Sequence, residues 1–372
     1  MMTRSEKVQY VQQHNMASGI ESPGKERNSN LELYRIVCML MIVAHHYVAN
    51  SGLAASDGPI TQQPTSLNSL YLSIFGMWGK TGINCFLLIT GYFMCKKTIT
   101  IRKFTKLLTS IYFYKILIFS ILLIFGYETL SAKRVLQIIS PIWGLNSNFV
   151  SCFIVFWLTI PFWNILIRHM TKQQHKSLLL LLLGSYTLLG SMPTFHVAFN
   201  YVSWFGILYL TASYIRLYPK PIYENRKLWL AMTVGSVMLA ILSVSGIQYL
   251  FGFQYAHFFV SDSNKFLAVI VSISSFLLFK GLPPPHTKVI NPIGASTFGV
   301  LLIHANSDAM RTWLWKDTVN CVGHYSLPIL SLAGYTFGVV ILIFGLCICI
   351  DRLRIMIIEK PFFRWYDRVF NR

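Results

Sequence analysis

The chain has 372 residues, of which 54% are hydrophobic and only 12% are charged, and its formal net charge is +19. A soluble globular protein carries about 25% charged residues. A soluble fold of this length could not bury so much apolar surface, and this excludes the soluble classes of protein. A membrane-spanning helix needs about 20 mostly apolar residues. The composition therefore predicts an integral membrane protein.

The first segment, 1–30, is polar and contains four Lys and Arg residues. It has no apolar run of the kind that forms a cleavable signal peptide, so we expect a mobile cytoplasmic tail. With no internal repeat and no long linker, one membrane domain over 31–365 is the simplest interpretation. The residues 366–372 form a short basic tail.

Apolar runs between charged breaks predict the membrane-spanning helices, and their number is even. An even number places both termini on one side of the membrane. The expected fold is an all-α bundle of about ten transmembrane helices. The predicted spans are 31–50, 68–94, 108–126, 148–167, 177–193, 197–215, 228–250, 265–280, 294–313 and 328–350.

The basic residues fall on alternate sides of these spans. Most of the 32 Lys and Arg residues lie on the side of the termini, and the positive-inside rule makes that side cytoplasmic. Basic loops that face anionic headgroups of membrane lipids explain the net charge. Nucleic-acid binding is not expected, because the chain has no basic folded domain outside the membrane. Arg35, Lys80 and Lys115 lie within spans, and Lys115 either binds an anion or extends to the headgroups.

The seven cysteines show no spacing typical of a metal site, and no metal is expected. Most of them lie in or beside spans, where cysteine is a packing residue. Cys152 and Cys321 fall near the outer face, where an oxidising compartment would allow them to pair.

Ionisable residues are costly inside a membrane, so those in the first span are candidates for function. Arg35 lies near its inner end and His46 near its outer end. Eleven residues turn a helix by about 1100°, so the two share a face about 16 Å apart along the axis. His45 is rotated by about 80° from Arg35. The pair suits a substrate that reaches through the membrane to a histidine base. Alternatively, Arg35 extends to the headgroups and the histidines lie at the outer interface.

The second and ninth spans carry further polar candidates. His304 and Asp308 are four residues apart and would face the same way on a continuous helix, so Asp308 is a possible partner of the imidazole. A structural hydrogen bond between helices explains His304 equally well. Lys80 lies between Gly79 and Gly82, and these glycines predict close packing or a broken helix.

A basic cluster follows the second span at the cytoplasmic boundary. Arg102, Lys103 and Lys106 begin the third helix, and Lys103 and Lys106 lie one turn apart. Such a cluster suits phosphate binding. The ordinary excess of Lys and Arg in cytoplasmic loops explains its charges equally well.

Taken in order, these segments resemble the acyltransferase-3 family of membrane acyltransferases over roughly residues 30–365. Arg35 and His46 match an arginine, ten residues and a histidine. The segment 84–93 resembles an aromatic–Ser–Gly–Tyr–Phe signature, with Thr90 in place of the serine. Lys103-Phe-Thr-Lys106 resembles a basic RxxR motif with lysines for arginines. Further matches are 148–164, 298–304 and 359–362.

The resemblance implies a membrane O-acyltransferase in the cell membrane, typically the bacterial inner membrane. The donor would be an acyl-CoA, usually acetyl-CoA, which is a substrate rather than a bound cofactor. The acceptor would be a hydroxyl of a lipid-linked or cell-surface glycan, deprotonated by His46, with a transient acyl-histidine as the competing route. The phosphates of the donor would meet Arg35, Arg102, Lys103 and Lys106. The acceptor pathway would involve His304, Asp308, Lys80 and Thr90.

Two features weigh on this interpretation. Many family members carry a glutamate near the start of the fourth span, whereas residues 146–148 contain no carboxylate. A secondary transporter or glycolipid flippase would also explain ten spans with polar residues inside them. That alternative does not explain the ordered motifs, and transporters often show two related halves, which this sequence lacks.

Overall fold

A computed structural model of the chain describes residues 29–140, 142–145, 148–195, 197–283 and 287–370. The described residues form helices joined by turns and loops, with no β-strand among them. The predicted N-terminal tail lies outside the described residues, except that Ser29 and Asn30 begin the first helix. The predicted C-terminal tail is helical as far as Phe370.

The described part of the chain contains thirteen helices of eight or more residues. They are α1 (Ser29–Ala49), α2 (Leu67–Gly76), α3 (Gly79–Met94), α4 (Ile101–Ile124), α5 (Ala132–Ile139), α6 (Phe149–His169), α7 (Lys172–Leu183), α8 (Tyr201–Leu217), α9 (Arg226–Phe251), α10 (Phe266–Gly281), α11 (Thr287–His304), α12 (Ile329–Arg354) and α13 (Lys360–Phe370). Short α-helical turns are Pro59–Gln62, Phe253–Ala256 and Asp308–Arg311. Short 3₁₀ turns are Leu189–Ser191 and Pro221–Glu224, and π turns are Gly184–Leu188, Thr312–Thr318 and Ile355–Glu359.

All ten predicted spans coincide with helical segments, but not all of them are long enough to count as spans by length and composition. Six helical segments among the described residues pass that test, if α2 with α3 counts as one segment and α12 with α13 as another. They are Ser29–Ala49, Leu67–Met94, Ile101–Ile124, Phe149–His169, Arg226–Phe251 and Ile329–Phe370. The pair Lys288–His304 and Asp308–Thr318 would add a seventh span, but it bends by 95° at a short break. The protein is thus a multi-pass, all-helical membrane protein, and the count of ten spans stays a prediction.

The helix starts follow from the local sequence. Thr100, Asn148, Thr171 and Asn225 precede helices, and the side-chain oxygen of each accepts a hydrogen bond from a backbone N–H of the first turn. Thr171 forms a capping box with Gln174. A free N–H in the first turn is costly near a membrane, and these short polar side chains satisfy it.

Burial divides the helices into a central group and a peripheral group. In the most apolar 18-residue stretch of Leu67–Met94, 72% of the residues are buried within the protein. In the corresponding stretch of Arg226–Phe251, only 17% are buried. Helix α8 is buried along almost its whole length. Because lipid covers the apolar side chains of a peripheral helix, α9 needs few protein neighbours. Helices α1, α3 and α8 therefore form the centre that positions the polar residues.

Polar side chains connect the central helices. The Trp204 indole on α8 donates to Asn84 Oδ1 on α3 over 2.9 Å, and Asn84 Nδ2 donates to the carbonyl of Ser263 over 2.6 Å. The Tyr34 hydroxyl on α1 lies 2.6 Å from Ser275 Oγ on α10. Such contacts replace the hydrophobic effect, which does not hold helices together in lipid. They fix α1, α3, α8 and α10 relative to one another.

Helix α11 packs closely on α12 through a glycine. A Cβ on Gly299 would lie 2.3 Å from the Asp351 carboxyl carbon, so a larger residue would push the two helices apart. Asp351 in turn accepts hydrogen bonds from Tyr114 of α4 and from Arg354 of its own helix, both over 2.9 Å. Arg354 also donates to Glu359 over 2.8 Å. This buried network holds α11, which ends at His304, against its neighbours.

Cys152 and Cys321 do not form a disulfide. Both are buried free thiols, and Cys152 Sγ donates to the carbonyl of Leu145 over 3.0 Å. Burial raises the pKa of the Cys321 thiol to about 12, which leaves it uncharged and unreactive near neutral pH.

Candidate active site

Arg35 and His46 lie on the same uninterrupted helix, α1, as their spacing predicts. Along a continuous helix the two side chains share a face about 16 Å apart. Arg35 Nη1 forms an ion pair with Glu32 over 3.1 Å, and the Glu32 side chain is only 8% exposed. Arg35 Nε is buried without a hydrogen-bond partner. Arg35 is therefore held by a buried carboxylate from the first turn of α1, and its Nε remains an unused donor.

A cavity of about 170 Å³ lies at the other end of α1, where this helix meets the starts of α3, α6 and α8 and the end of α11. His46 is part of its wall. The other lining residues are Ile42, His45, Gly79, Lys80, Ile83, Ile111, Lys115, Asn148, Phe149, Val150, Tyr201, Leu301, Leu302, Ala305, Asn306 and Arg311.

The ring of His46 is paired with the ring of His304. His46 Nδ1 lies 2.9 Å from His304 Nε2, and His304 Nδ1 lies 2.6 Å from the carbonyl oxygen of Val300. A carbonyl can only accept, so His304 Nδ1 carries a proton. In the neutral ring, His304 Nε2 then accepts a hydrogen bond from the N–H at His46 Nδ1. His46 Nε2 is then the unprotonated nitrogen. The pair gives His46 the form that a general base needs.

Asp308 is not the partner of His304, contrary to the expectation from their spacing. That expectation assumed a continuous helix, but α11 ends at His304 and the next helical turn is bent away by 95°. The Asp308 side chain is 94% exposed and pairs with Arg311 over 2.8 Å. The break in the helix therefore separates Asp308 from His304, whose ring instead contacts His46 of α1.

His45 lies beside His46 in the wall of the same cavity. Its Nδ1 donates to the carbonyl of Gly76 over 2.7 Å. A Cβ on Gly79 would lie 2.3 Å from the ring, so only glycine leaves room for it. Helical phase distinguishes His46 from His45 relative to Arg35, but both rings reach the cavity. The pairing with His304 is what sets His46 apart.

Lys80 lies in the cavity wall, whereas Thr90 does not. Lys80 Nζ donates to the Tyr201 hydroxyl over 2.6 Å and lies 3.7 Å from Asp262 Oδ1. The α-helix is interrupted between α2, which ends at Gly76, and α3, which begins at Gly79, just before Lys80. A broken helix was one of the two outcomes that the glycines predicted. The Thr90 hydroxyl instead donates to the carbonyl of Phe86 within its own helix over 2.9 Å. Thr90 thus has a local structural contact.

Several cavity residues were not singled out from the sequence: Asn148, Tyr201, Asn306 and Arg311. Asn148 and Tyr201 stand at the predicted outer ends of their spans, the same level as His46. Comparing the levels of polar residues across spans would have found these two. Arg311 follows the helix break after His304, where Ser307 caps the next helical turn, and the run Asn306-Ser307-Asp308 is the sequence signal for that break.

The basic cluster at the start of α4 is neutralised in part by carboxylates from the C-terminal segment. Arg102 donates to both oxygens of Asp367, over 2.6 and 2.8 Å. Lys106 Nζ lies 2.6 Å from Glu359 Oε1. Lys103 donates to a backbone carbonyl over 3.1 Å and has no carboxylate among its described contacts. Lys103 therefore has the least neutralised charge of the three.

Comparison with known proteins identifies the family to which the chain belongs. The model of the acyltransferase-3 family, described as an acyltransferase domain, matches residues 28–351. The chain belongs to the acyltransferase-3 family. No curated protein and no solved structure matches it. The acyltransferase-3 match includes every residue of the cavity wall and the basic start of α4, and it makes this chain a membrane acyltransferase.

Proposed function

We propose that the protein transfers an acetyl group from cytoplasmic acetyl-CoA to a hydroxyl of a lipid-linked or cell-surface glycan, with His46 as the general base. The observation that carries the proposal is that His46, in the wall of a cavity within an acyltransferase-3 domain, pairs with His304. Acyl transfer to a hydroxyl requires a base within hydrogen-bond reach of that hydroxyl.

The transfer begins at the unprotonated nitrogen of His46. Nε2 takes the proton of the acceptor hydroxyl while the oxygen forms a bond to the thioester carbonyl carbon. The tetrahedral intermediate then breaks its carbon–sulfur bond, and the sulfur of CoA leaves with the proton from His46. The acetyl ester and free CoA are the products, and His46 returns to its neutral form.

Lys80 is suited to stabilise the negative charge that develops on the carbonyl oxygen. Its ammonium has three N–H donors, and the Tyr201 hydroxyl and the Asp262 carboxylate account for two of them. The third is available to a new oxyanion in the cavity, which is the group that needs preorganised donors in the transition state.

The donor is proposed to enter at the opposite end of α1. Arg35 has an unused N–H, and Arg102, Lys103 and Lys106 stand at the start of α4. Lys and Arg bind phosphates by charge-assisted hydrogen bonds. With the phosphates of acetyl-CoA at this end, its extended pantetheine arm would carry the thioester along α1 towards His46, about 16 Å away along the helix axis.

The proposal is tested by replacing His46 with alanine. We expect His46→Ala to abolish the transfer of labelled acetyl groups from acetyl-CoA into the envelope glycans of the source cells, since Nε2 of His46 is the base of the proposed step. Insertion is checked by the amount of protein in the membrane fraction. His169→Ala, an exposed histidine at the end of α6, is the matched control and should keep full activity. Full activity in His46→Ala would refute the mechanism.

A further inference from the structure

The cavity beside His46 is lined by three cations and by no carboxylate among its described residues. Lys80 comes from α3, Lys115 from α4 and Arg311 from the turn after α11. Three separate elements thus direct positive charge into one small space. Positive-inside topology does not explain them, because Lys80 and Lys115 lie within predicted spans and Arg311 lies at a predicted outer end.

Two of these cations have weakly compensated charges. Among the described residues, Lys115 Nζ donates to the carbonyl of Gln137 alone, over 3.2 Å, and a carbonyl is neutral. Arg311 pairs with Asp308, but the 94% exposed carboxylate of Asp308 is strongly screened by solvent. Arg311 Nε is buried and has no hydrogen-bond partner in the part of the chain that the structure describes. The cavity wall therefore offers both net charge and an unused donor.

Like charges that share a partly buried cavity repel one another, and the repulsion grows as water is excluded. An anion bound between them would remove the repulsion and satisfy the free donor of Arg311. The phosphates of the donor are proposed to lie at the other end of α1, so they do not supply this anion. The acetyl group is neutral. The acceptor is the remaining substrate.

We propose that the acceptor glycan is acidic, with a carboxylate or phosphate group that binds Lys115 and Arg311 while its hydroxyl meets His46. This inference rests on the proposed function, because it concerns the acceptor of that reaction. A neutral glycan would leave the charge of both cations only weakly compensated. The charged group would also fix which hydroxyl of the glycan faces the base.

The experiment measures binding by the full chain in lipid nanodiscs. The probes are three trisaccharides: trigalacturonate, its carboxyl-reduced neutral counterpart, and the neutral sugar with one phosphate added. We expect one acidic probe to bind at least tenfold more tightly than the neutral one, and the tighter acid identifies the carboxylate or the phosphate as the anion.

Variants test whether the two cations cause this preference. Lys115→Gln and Arg311→Gln should each reduce it to less than threefold, whereas Lys115→Arg keeps the charge and should preserve it. Lys133→Gln removes an exposed charge on the same predicted side, outside the cavity, and is the matched control.

Three results would overturn the acidic acceptor. They are equal affinity for all three probes, no binding of either acid, and a preference that survives in Lys115→Gln and Arg311→Gln. Because the readout is binding, it separates this inference from the proposed function. Loss of transfer in His46→Ala together with equal affinities would reject the acidic acceptor and leave the acetyl transfer standing.

Discussion

The ring of His304 lies between the carbonyl of Val300 and the ring of His46, and this position determines its role. The carbonyl fixes the proton on His304 Nδ1, and His304 Nε2 then fixes the proton on His46 Nδ1. His304 acts through His46 rather than on the substrate, so it is a positioning residue. A base in the wrong tautomer presents an N–H to the hydroxyl and cannot accept its proton.

Replacing His304 with alanine should lower the kcat of acetyl transfer by about 10- to 100-fold, as is usual when the group that orients a functional histidine is removed. The KM for acetyl-CoA should not change. His304→Gln should recover part of the rate, since its side-chain carbonyl is able to accept from His46 Nδ1. Steady-state rates on membranes with labelled acetyl-CoA provide the measurement.

Asp308→Ala is the contrasting variant for this prediction. Its exposed ion pair with Arg311 contributes at most about 1 kcal/mol, so the rate should stay within about fivefold of the wild type. A wild-type kcat in His304→Ala, or equal losses in the alanine and glutamine variants, would contradict the positioning role.

The sequence predicted part of this site and missed the rest for a physical reason. The spacing of Arg35 and His46 needs only one helix, and both residues do lie on the single helix α1. The contact between His46 and His304 joins residues 258 positions apart, and no periodicity reports such a distance. The pairing of His304 with Asp308 was wrong because local spacing does not reveal where a helix ends.

At the scale of helices, the start of α4 and the C-terminal segment are linked by opposite charges. Lys106 and Glu359 are one pair, and Arg102 and Asp367 are another. The sequence predicted the basic cluster but not its carboxylate partners, which lie more than 250 positions along the chain. Since two of its charges are shared with carboxylates, Lys103 is the residue most available to a phosphate.

Replacing Lys103 with alanine should therefore weaken the binding of acetyl-CoA by about tenfold or more, because a hydrogen bond to a charged group contributes about 1.5–3 kcal/mol. Titration of the purified protein with acetyl-CoA measures the change. Lys172→Ala removes one exposed charge from another predicted cytoplasmic loop and should leave the affinity unchanged. Equal losses in the two variants would indicate general attraction by positive charge rather than a site.

For the whole molecule, the predicted count of ten spans depends on whether the short helices cross the membrane. Helices α7, α8 and α10 have 12, 17 and 16 residues, and none meets the length of a full span. In the predicted ten-span topology each of them nevertheless crosses the membrane. Helix α7 continues through a π turn and a 3₁₀ turn to Ser191, which adds length that the α-helix alone lacks. Burial of α8 by other helices also lets a short span avoid lipid.

Cysteine labelling in intact cells tests this topology. In a Cys349→Ser background, which removes the one exposed cysteine among the described residues, single cysteines replace Thr194, Lys172 and Lys227, all of them exposed. If 177–193 and 197–215 both cross the membrane, a membrane-impermeant maleimide should label Thr194→Cys from outside. The two lysine positions should react only after the cells are permeabilised. Labelling of all three from one side would mean that this helix pair does not cross. Because residues 177–215 contain no Lys or Arg, the basic loops on either side of the pair would still face the cytoplasm, and eight spans would replace the predicted ten.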